Sequence, residues 1–203
     1  MSRVALIGAS GNAGSRILKE LAERGHRVTA LARHPENIAA LPNVQAHAVD
    51  IRDQAALAER LKGHDVVISS VHFSASDPQT LLAAVRDSGV GRYLVVGGAA
   101  SLSVNGTRLL DSPDFPAEYR AEATLGVAYL ERLRAETVLD WTFLSPPALF
   151  EAGERTGTFR VGKDELLVDT NGHSHISFED YAVALVDEVE TPAHPRQRFT
   201  VGY

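Results

Sequence analysis

Three glycines follow directly on a buried strand near the start of the chain. Val4–Ile7 is a continuous apolar run, Gly8, Gly11 and Gly14 come next, and helical spacing of apolar residues resumes at Ile17. A strand, loop and helix of this kind bring backbone N–H groups and the positive end of a helix macrodipole up to a pyrophosphate, at a range that residues with a Cβ would prevent. The stretch therefore predicts a dinucleotide phosphate loop.

The glycine spacing differs from the commonest dinucleotide fingerprint, which is G-x-G-x-x-G. Here it is G-x-x-G-x-x-G, which alone is a weak signal, and the alternative is a glycine-rich turn without a ligand. A second strand at 27–32 follows at the distance typical of a βαβ unit and strengthens the prediction.

Strands and helices alternate along the rest of the chain. Apolar runs predict strands at 44–49, 65–71, 92–98 and 141–145, with helices over 54–62, 78–89 and 117–137 between them. Asp53 and Asp77 precede two of the helices and are predicted N-caps. This alternation predicts an α/β fold with a doubly wound parallel sheet and helices on both faces.

The second half of the chain carries less regular patterns. Residues 99–116 lack periodicity, and we expect them to form a wall or lid of a substrate pocket. Residues 158–161 and 165–168 alternate around Gly162–Asp164 and predict a hairpin, so 148–176 is expected as a small substrate lobe within one domain of 203 residues.

Ser177 has capping-box spacing before the last helix, and a final strand is expected at 199–201. The helix at 117–137 is expected to bury one face made of Ala121, Leu125, Ala128, Tyr129 and Leu133.

Composition excludes several classes of function. The chain has no cysteine, which rules out disulfides and thiolate metal sites, and its net charge of −6 argues against nonspecific nucleic-acid binding. No apolar run approaches the roughly 20 residues of a membrane helix, and no signal peptide is recognisable, so we expect a cytoplasmic monomer or homodimer that does not bind membranes. His173 and His175 are too few for a metal site, and a polar turn is the better interpretation.

Arg33 stands at the end of the second strand, nineteen residues after Gly14. An NAD-specific site carries Asp or Glu there for the ribose hydroxyls, whereas an arginine can bind the 2′-phosphate of NADP in bidentate fashion. We therefore predict a preference for NADPH over NADH. The alternative is a solvated arginine ahead of Pro35.

Other candidates follow from the position of strand ends. Ligands of open α/β sheets bind outside the carboxyl ends of the strands, which places Ser69, Ser70 and His72 in the predicted cofactor crevice. Asp50, at the end of the third strand, either accepts from an adenine amino group or caps a turn.

These motifs, with Asp50-Ile51 after the third strand and Pro146-Pro147 after the sixth, resemble the atypical short-chain dehydrogenase/reductase superfamily over nearly the whole chain. Residues 61–68, 114–119 and 177–182 resemble its compact NADH-flavin reductase group, related to NmrA-like proteins and biliverdin-IXβ/flavin reductases. The resemblance implies a Rossmann sheet with a small carboxyl-terminal substrate lobe. Residues and resemblance together predict cofactor contacts at Gly8, Ser10, Gly11, Asn12, Ala13, Gly14, Arg33, Asp50, Ile51, Ser69, Ser70, Pro146 and Pro147.

One departure from the superfamily bears on the chemistry. Its usual catalytic pair is a Tyr followed four residues later by a Lys, which lowers the Tyr pKa, and no tyrosine of this chain has a lysine there. Arg120 directly after Tyr119 points to a different helix face and does not replace it. The candidate catalytic residues are Ser101, at the superfamily's substrate-orienting hydroxyl or in a simple turn, His72 and Tyr119.

Three functions remain open from the sequence. The first is hydride transfer from NADPH to a conjugated small-molecule acceptor such as a flavin (FMN or FAD), a quinone or a tetrapyrrole, which needs little acid catalysis. The second is an NmrA-like module that senses NADP without turnover. The third is a carbonyl reductase or epimerase with another acid, against which the missing Tyr-Lys pair argues.

Overall fold

The computed structural model describes all 203 residues of the chain. None of its helices combines the length and the apolar content that crossing a membrane requires. The helices are α1 (Asn12–Glu23), α2 (Gln54–Leu61), α3 (Pro78–Ser88), α4 (Arg120–Arg134) and α5 (Phe178–Glu190). The strands are β1 (Arg3–Ile7), β2 (Arg27–Ala32), β3 (Val44–Ala48), β4 (Val66–Ser69), β5 (Arg92–Val96), β6 (Ser103–Val104), β7 (Thr107–Arg108), β8 (Asp140–Ser145), β9 (Leu149–Glu151), β10 (Arg160–Gly162), β11 (His175–Ser177) and β12 (Gln197–Gly202).

Eight strands form the central sheet, in the order β10-β12-β8-β5-β4-β1-β2-β3. All neighbours in it are parallel except β10, which runs antiparallel to β12. The chain winds outward from β1 to β3 and then returns to the other side of β1 at β4, so the strand order reverses between β1 and β4. This arrangement confirms the predicted α/β Rossmann-type sheet and places the ligand crevice at that reversal.

The sheet divides the apolar core into two layers. One layer packs the sheet against α1 and α5 through residues such as Ile17, Leu21 and Leu185. The other packs it against α2, α3 and α4 through residues such as Leu57 and Leu81. The helices therefore lie on both faces, as the sequence predicts.

Local capping signals are confirmed. The Asp53 carboxylate accepts from the Ala56 N–H at 3.0 Å, Asp77 accepts from two N–H groups of α3, and the Ser177 hydroxyl accepts from the Asp180 N–H at 2.9 Å. The reciprocal half of the predicted capping box is missing. The buried Asp180 carboxylate instead accepts from the Gly157 N–H at 2.7 Å and from the Tyr203 hydroxyl at 2.7 Å.

The buried face of α4 differs from the prediction. Tyr129 and Leu133 are buried as expected, but Ala121, Leu125 and Ala128 are exposed, and the remaining buried positions are Gly126, Val127 and Leu130. The reason is the ring of Phe73, which packs on bare helix backbone: a Cβ added at Gly126 would lie 2.7 Å from it. That contact turns the helix toward Gly126.

The predicted hairpin of residues 158–168 is wrong. Its first run overlaps β10, which pairs with β12 at the edge of the central sheet, Arg160 opposite Gly202. The second run instead contacts the 99–116 segment, where the Leu166 N–H donates to the Ser103 carbonyl at 2.9 Å. The edge of β12 was free to pair with β10, and its distance along the chain hid this partner from local patterns. The segment 148–176 also supplies β9, which pairs in parallel with β11.

Candidate functional site

The glycine loop joins β1 to α1 by close backbone contacts. Gly8 has a φ of +83°, and a Cβ there would lie 2.1 Å from the Ser70 carbonyl oxygen. A Cβ at Gly14 would lie 2.1 Å from the Gly8 carbonyl oxygen. Both glycines are therefore needed for the loop to close against its neighbours.

Gly11 serves a different purpose. It is the N-cap residue of α1, with an extended backbone (φ −75°, ψ 173°) that any residue can adopt, and no side chain caps the helix there. A Cβ at Gly11 would stand 3.4 Å from the Gly8 carbonyl oxygen, without a backbone clash. The first N–H groups of α1 thus lack a side-chain acceptor, which is the arrangement that binds phosphate at helix N-termini.

A first cavity of about 710 Å³ opens over this loop, at the carboxyl ends of the central strands. Its volume and its glycine cradle fit a dinucleotide. The first cavity brings together most of the predicted cofactor residues: Gly8, Ser10, Gly11, Asn12, Ala13, Arg33, Asp50, Ile51, Ser70 and the candidate His72.

Four predicted cofactor residues lie outside its wall. Gly14 is buried beneath the loop, and Ser69 is buried in β4, where its hydroxyl contacts that of Tyr93. Successive residues of a strand point to opposite faces, so Ser69 faces the core layer of α4 while Ser70 reaches the cavity. Pro146 and Pro147 are buried after β8 and do not reach the cavity either.

Asp50 is occupied by a neighbouring arginine that the sequence analysis missed. Arg52 donates from Nε and Nη2 to the two Asp50 oxygens, at 3.0 and 2.8 Å, and from its backbone N–H at 3.0 Å. These bonds, together with the charges of Arg52 and Arg33, lower the pKa of Asp50 to about 2. The turn-capping interpretation of Asp50 is what the structure shows, while the exposed Arg33 side chain lines the cavity near it.

A second cavity of about 410 Å³ adjoins the first, and the two share Phe73, Gly98 and Glu122. Most of its wall is apolar, with Leu109 and Phe115 among the contributors. The 99–116 segment forms one wall of this cavity and contains the short pair β6 and β7.

Glu122 is a further residue that the sequence analysis missed, and it connects the two cavities. Its carboxylate accepts from the Phe73 N–H at 2.6 Å and from the Ser74 N–H at 3.0 Å, while His72 Nδ1 lies 3.5 Å away. Burial alone would raise its pKa, but the bonds from Ser74 and Phe73 lower that pKa below its ordinary value. No local pattern could reveal this contact, because its partners are 49 residues apart.

The Phe73 ring stands between the two cavities. Its centroid lies 5.5 Å from that of Tyr129 and 6.3 Å from that of Phe143, on the core side. With Glu122 holding the backbone and Gly126 leaving room for the ring, Phe73 forms part of both walls.

The three candidate catalytic residues do not form one cluster. Ser101 and Tyr119 line the second cavity and His72 lines the first, with no hydrogen bond between any two of them. Tyr119 is 63% exposed, and Ser101 Oγ accepts from Arg198 Nη1 at 3.2 Å.

The histidines at 173 and 175 belong to a polar turn around Asp169. Their ring nitrogens lie 3.8 and 3.5 Å from its carboxylate, which also accepts from the backbone N–H groups of Asn171 and His173. No group of three or more potential metal ligands occurs in the chain.

Comparison with known proteins identifies the family to which the chain belongs. The NAD(P)H-binding family matches residues 8–192, and the chain belongs to this family. The match includes the glycine loop and α5, and it confirms the NAD(P)-binding family that the resemblance implies.

Three solved structures are similar over the full chain. A Burkholderia pseudomallei protein named "putative exported protein" is 44% identical, with all of both chains covered and a TM-score of 0.91. A Bacteroides thetaiotaomicron protein named "putative epimerase" is 42% identical, with 99% of this chain and 96% of that chain covered and a TM-score of 0.93. A Streptococcus pneumoniae protein named "putative NADH-flavin reductase" is 35% identical, with 100% and 99% covered and a TM-score of 0.82.

Proposed function

We propose that this protein is an NAD(P)H-dependent reductase that passes hydride to a conjugated, largely apolar acceptor. The observation that carries the proposal is the pair of adjoining cavities. The first lies over a glycine loop that fits a pyrophosphate, and the second is apolar and opens beside it at Phe73, Gly98 and Glu122. That junction is where a bound nicotinamide ring and an acceptor ring would meet.

The preferred cofactor in this proposal is NADPH. Arg33 lies exposed at the end of β2, whereas the Arg52 guanidinium is already paired with Asp50. Arg33 is therefore the guanidinium available for a 2′-phosphate.

Bound NADPH supplies a hydride from its nicotinamide C4. The chain would contribute position: the glycine loop and Arg33 would hold the phosphates, and the wall that the two cavities share would set the distance between the two rings. Holding two rings in a near-attack geometry supplies much of the rate for an acceptor that solvent can protonate. The wall of the second cavity is apolar enough for a flavin, a quinone or a tetrapyrrole fragment, and the Streptococcus relative's name is in keeping with a flavin.

The residues present disfavour a tyrosine-dependent carbonyl reductase. None of the chain's three lysines, at positions 19, 62 and 163, lines either cavity, so none can lower the pKa of a tyrosine there. Tyr93 and Tyr129 are fully buried in a mutual hydrogen bond of 2.7 Å, and burial raises the pKa of Tyr93 to about 12.

The Bacteroides relative's name favours an epimerase as a second candidate. Ser101 and Tyr119 line the second cavity, as a carbonyl-directed enzyme with an unusual acid would require. An NADP-sensing module is the third candidate. For each, we propose a small-molecule ligand and no nucleic-acid partner; the expected cytoplasmic location stays a prediction, and the name of the Burkholderia relative points elsewhere.

A turnover assay separates the three candidates. NADPH oxidation is followed with FMN, FAD and a quinone, with NADPH binding measured in parallel. The reductase proposal expects turnover that Tyr119→Phe leaves nearly intact, whereas a tyrosine acid would make that variant lose on the order of 10²–10⁴ in rate. Tight NADPH binding without turnover on any acceptor supports the sensing module instead.

A further inference from the structure

Ser101 is backed by a nearly buried arginine on a distant strand. Arg198 lies on β12, opposite Phe143 of β8, and its side chain is only 4% exposed. Its Nη1 donates to Ser101 Oγ at 3.2 Å, while its Nε donates to Asp164 Oδ1 at 2.9 Å and its Nη2 pairs with the same carboxylate.

The direction of these hydrogen bonds is fixed by chemistry. A guanidinium has only donors, so Ser101 Oγ must be the acceptor in its bond with Arg198. The Ser101 hydroxyl proton meets no acceptor within the protein, and Ser101 lines the second cavity. The hydroxyl proton is thus left available to a ligand of that cavity.

Backbone contacts keep the three residues together. Ser101 ends the short 3₁₀ turn Ala99–Ser101, and two residues later the Ser103 N–H donates to the Asp164 carbonyl at 2.8 Å. The Asp164 side chain is 66% exposed, and it pairs from the surface with a guanidinium that is otherwise almost enclosed. The arginine is therefore fixed from one side by Asp164, which takes Nε and Nη2, and presents its third nitrogen, Nη1, to Ser101.

We propose that Arg198 is a positioning residue that makes Ser101 a polarised hydrogen-bond donor to an oxygen of the acceptor, an inference that rests on the proposed reductase function. When hydride adds to a quinone or similar ring, two electrons arrive with one hydrogen, and negative charge develops on a conjugated oxygen. The Ser101 O–H donates to that oxygen and keeps its own proton, and solvent then supplies the proton that completes the reduced acceptor. A donor aimed at developing charge is most effective when a cation stands behind it.

The test is a double-mutant cycle in NADPH–quinone turnover, with NADPH binding as a second readout. We expect Ser101→Ala to lower kcat on the order of 10²-fold, as loss of one such donor does, with KM little changed. We expect Arg198→Met to lower kcat by roughly 10-fold, the effect of one lost charge-assisted bond. Because both act through one hydroxyl, the double variant falls no further than Ser101→Ala.

Two controls distinguish this role from a structural one. Ser101→Thr keeps a hydroxyl and should keep most of kcat. Arg92 is the matched arginine, because its side chain is 12% exposed and paired with Glu188 at 2.7 Å, yet it lies at the amino end of β5, away from both cavities. Arg92→Met should lower Tm without changing kcat of the folded fraction.

The outcomes that would overturn the inference are distinct. Turnover that Arg198→Met leaves unchanged, or losses in kcat that add in the double variant, overturn the role of Arg198 while the reductase proposal stands. Absence of turnover in the unmodified protein overturns both. If Arg198→Met does not fold, Arg198→Gln replaces it, since glutamine keeps an N–H donor without the charge and should give a kcat between the parent and Ser101→Ala.

Discussion

The two cavities differ in what lines them: backbone forms the floor of the first, and side chains form the wall of the second. The floor of the first is backbone: glycines of one short loop, the uncapped start of α1 and the ends of parallel strands. The wall of the second is made of side chains from a loop, from α4 and from the turn at Phe73, which are far apart in sequence. The floor of the first cavity is thus specified by local backbone geometry, and the wall of the second by long-range packing.

The largest expected effect falls on the backbone floor. Gly14→Ala would place a Cβ 2.1 Å from the Gly8 carbonyl oxygen, so the loop must move, and we expect the free energy of unfolding to fall by about 3 kcal/mol. Urea denaturation measures this loss. Gly11→Ala, three residues earlier, is the control and should cost much less; equal losses in the two variants would contradict the distinction between the glycines.

The second prediction concerns nucleotide binding at the same loop. Gly11→Val should stay folded, because Gly11 has an extended backbone with no backbone clash, but its side chain would stand where the pyrophosphate approaches the helix. We expect NADPH affinity to fall by about 100-fold or more, measured by fluorescence titration. A well-folded variant with parental affinity would show that the loop has a purely structural purpose.

The third prediction tests cofactor choice at the rim of the first cavity. Arg33→Ala should remove a preference for NADPH over NADH of roughly 10- to 100-fold, the value of a charge-assisted bond to phosphate. Arg52→Ala is the matched control, because the Arg52 guanidinium is already paired with Asp50 at 2.8 Å, and it should change the preference far less. Titrations in which the unmodified protein binds both nucleotides equally would reject the assignment of Arg33.

The smallest expected effect is on the pH dependence of stability, through Glu122 between the two cavities. The pKa of Glu122 is lower in the folded protein, so its contribution to stability is present above the ordinary value of 4.5 and is lost as pH falls through the folded pKa. Below pH 4.5 the parent should therefore lose stability more steeply than Glu122→Gln, as measured by thermal unfolding across pH. Glu118→Gln, on the preceding turn, is the control and should follow the parent.

The parts of the fold that the sequence predicted correctly depend on neighbouring residues. The strand before Gly8, the caps Asp53 and Asp77, and the alternation of strands and helices all arise from contacts within a few residues. Such contacts leave a periodicity or a capping residue that can be recognised without knowing the rest of the chain.

The errors arise where distant segments decide the outcome. β10 pairs with the exposed edge of β12 instead of forming the predicted hairpin. The contact of the Phe73 ring with Gly126 determines which face of α4 is buried. The contacts of Glu122 and Arg198 could not be predicted for the same reason, since their partners lie 49 and 97 residues away. An isolated acidic or basic residue on a helix or strand carries no mark of such a partner.

Phe73 lines both cavities, so any ligand that displaces its ring would make their affinities interdependent. A ligand that displaces this ring from either side changes the free energy of filling the other cavity, and thermodynamic reciprocity requires the converse change to be equal. The ring can shift only as far as the helix backbone at Gly126 and the anchored turn allow. The room available to one aromatic side chain therefore limits how strongly occupancy of the first cavity can change affinity in the second.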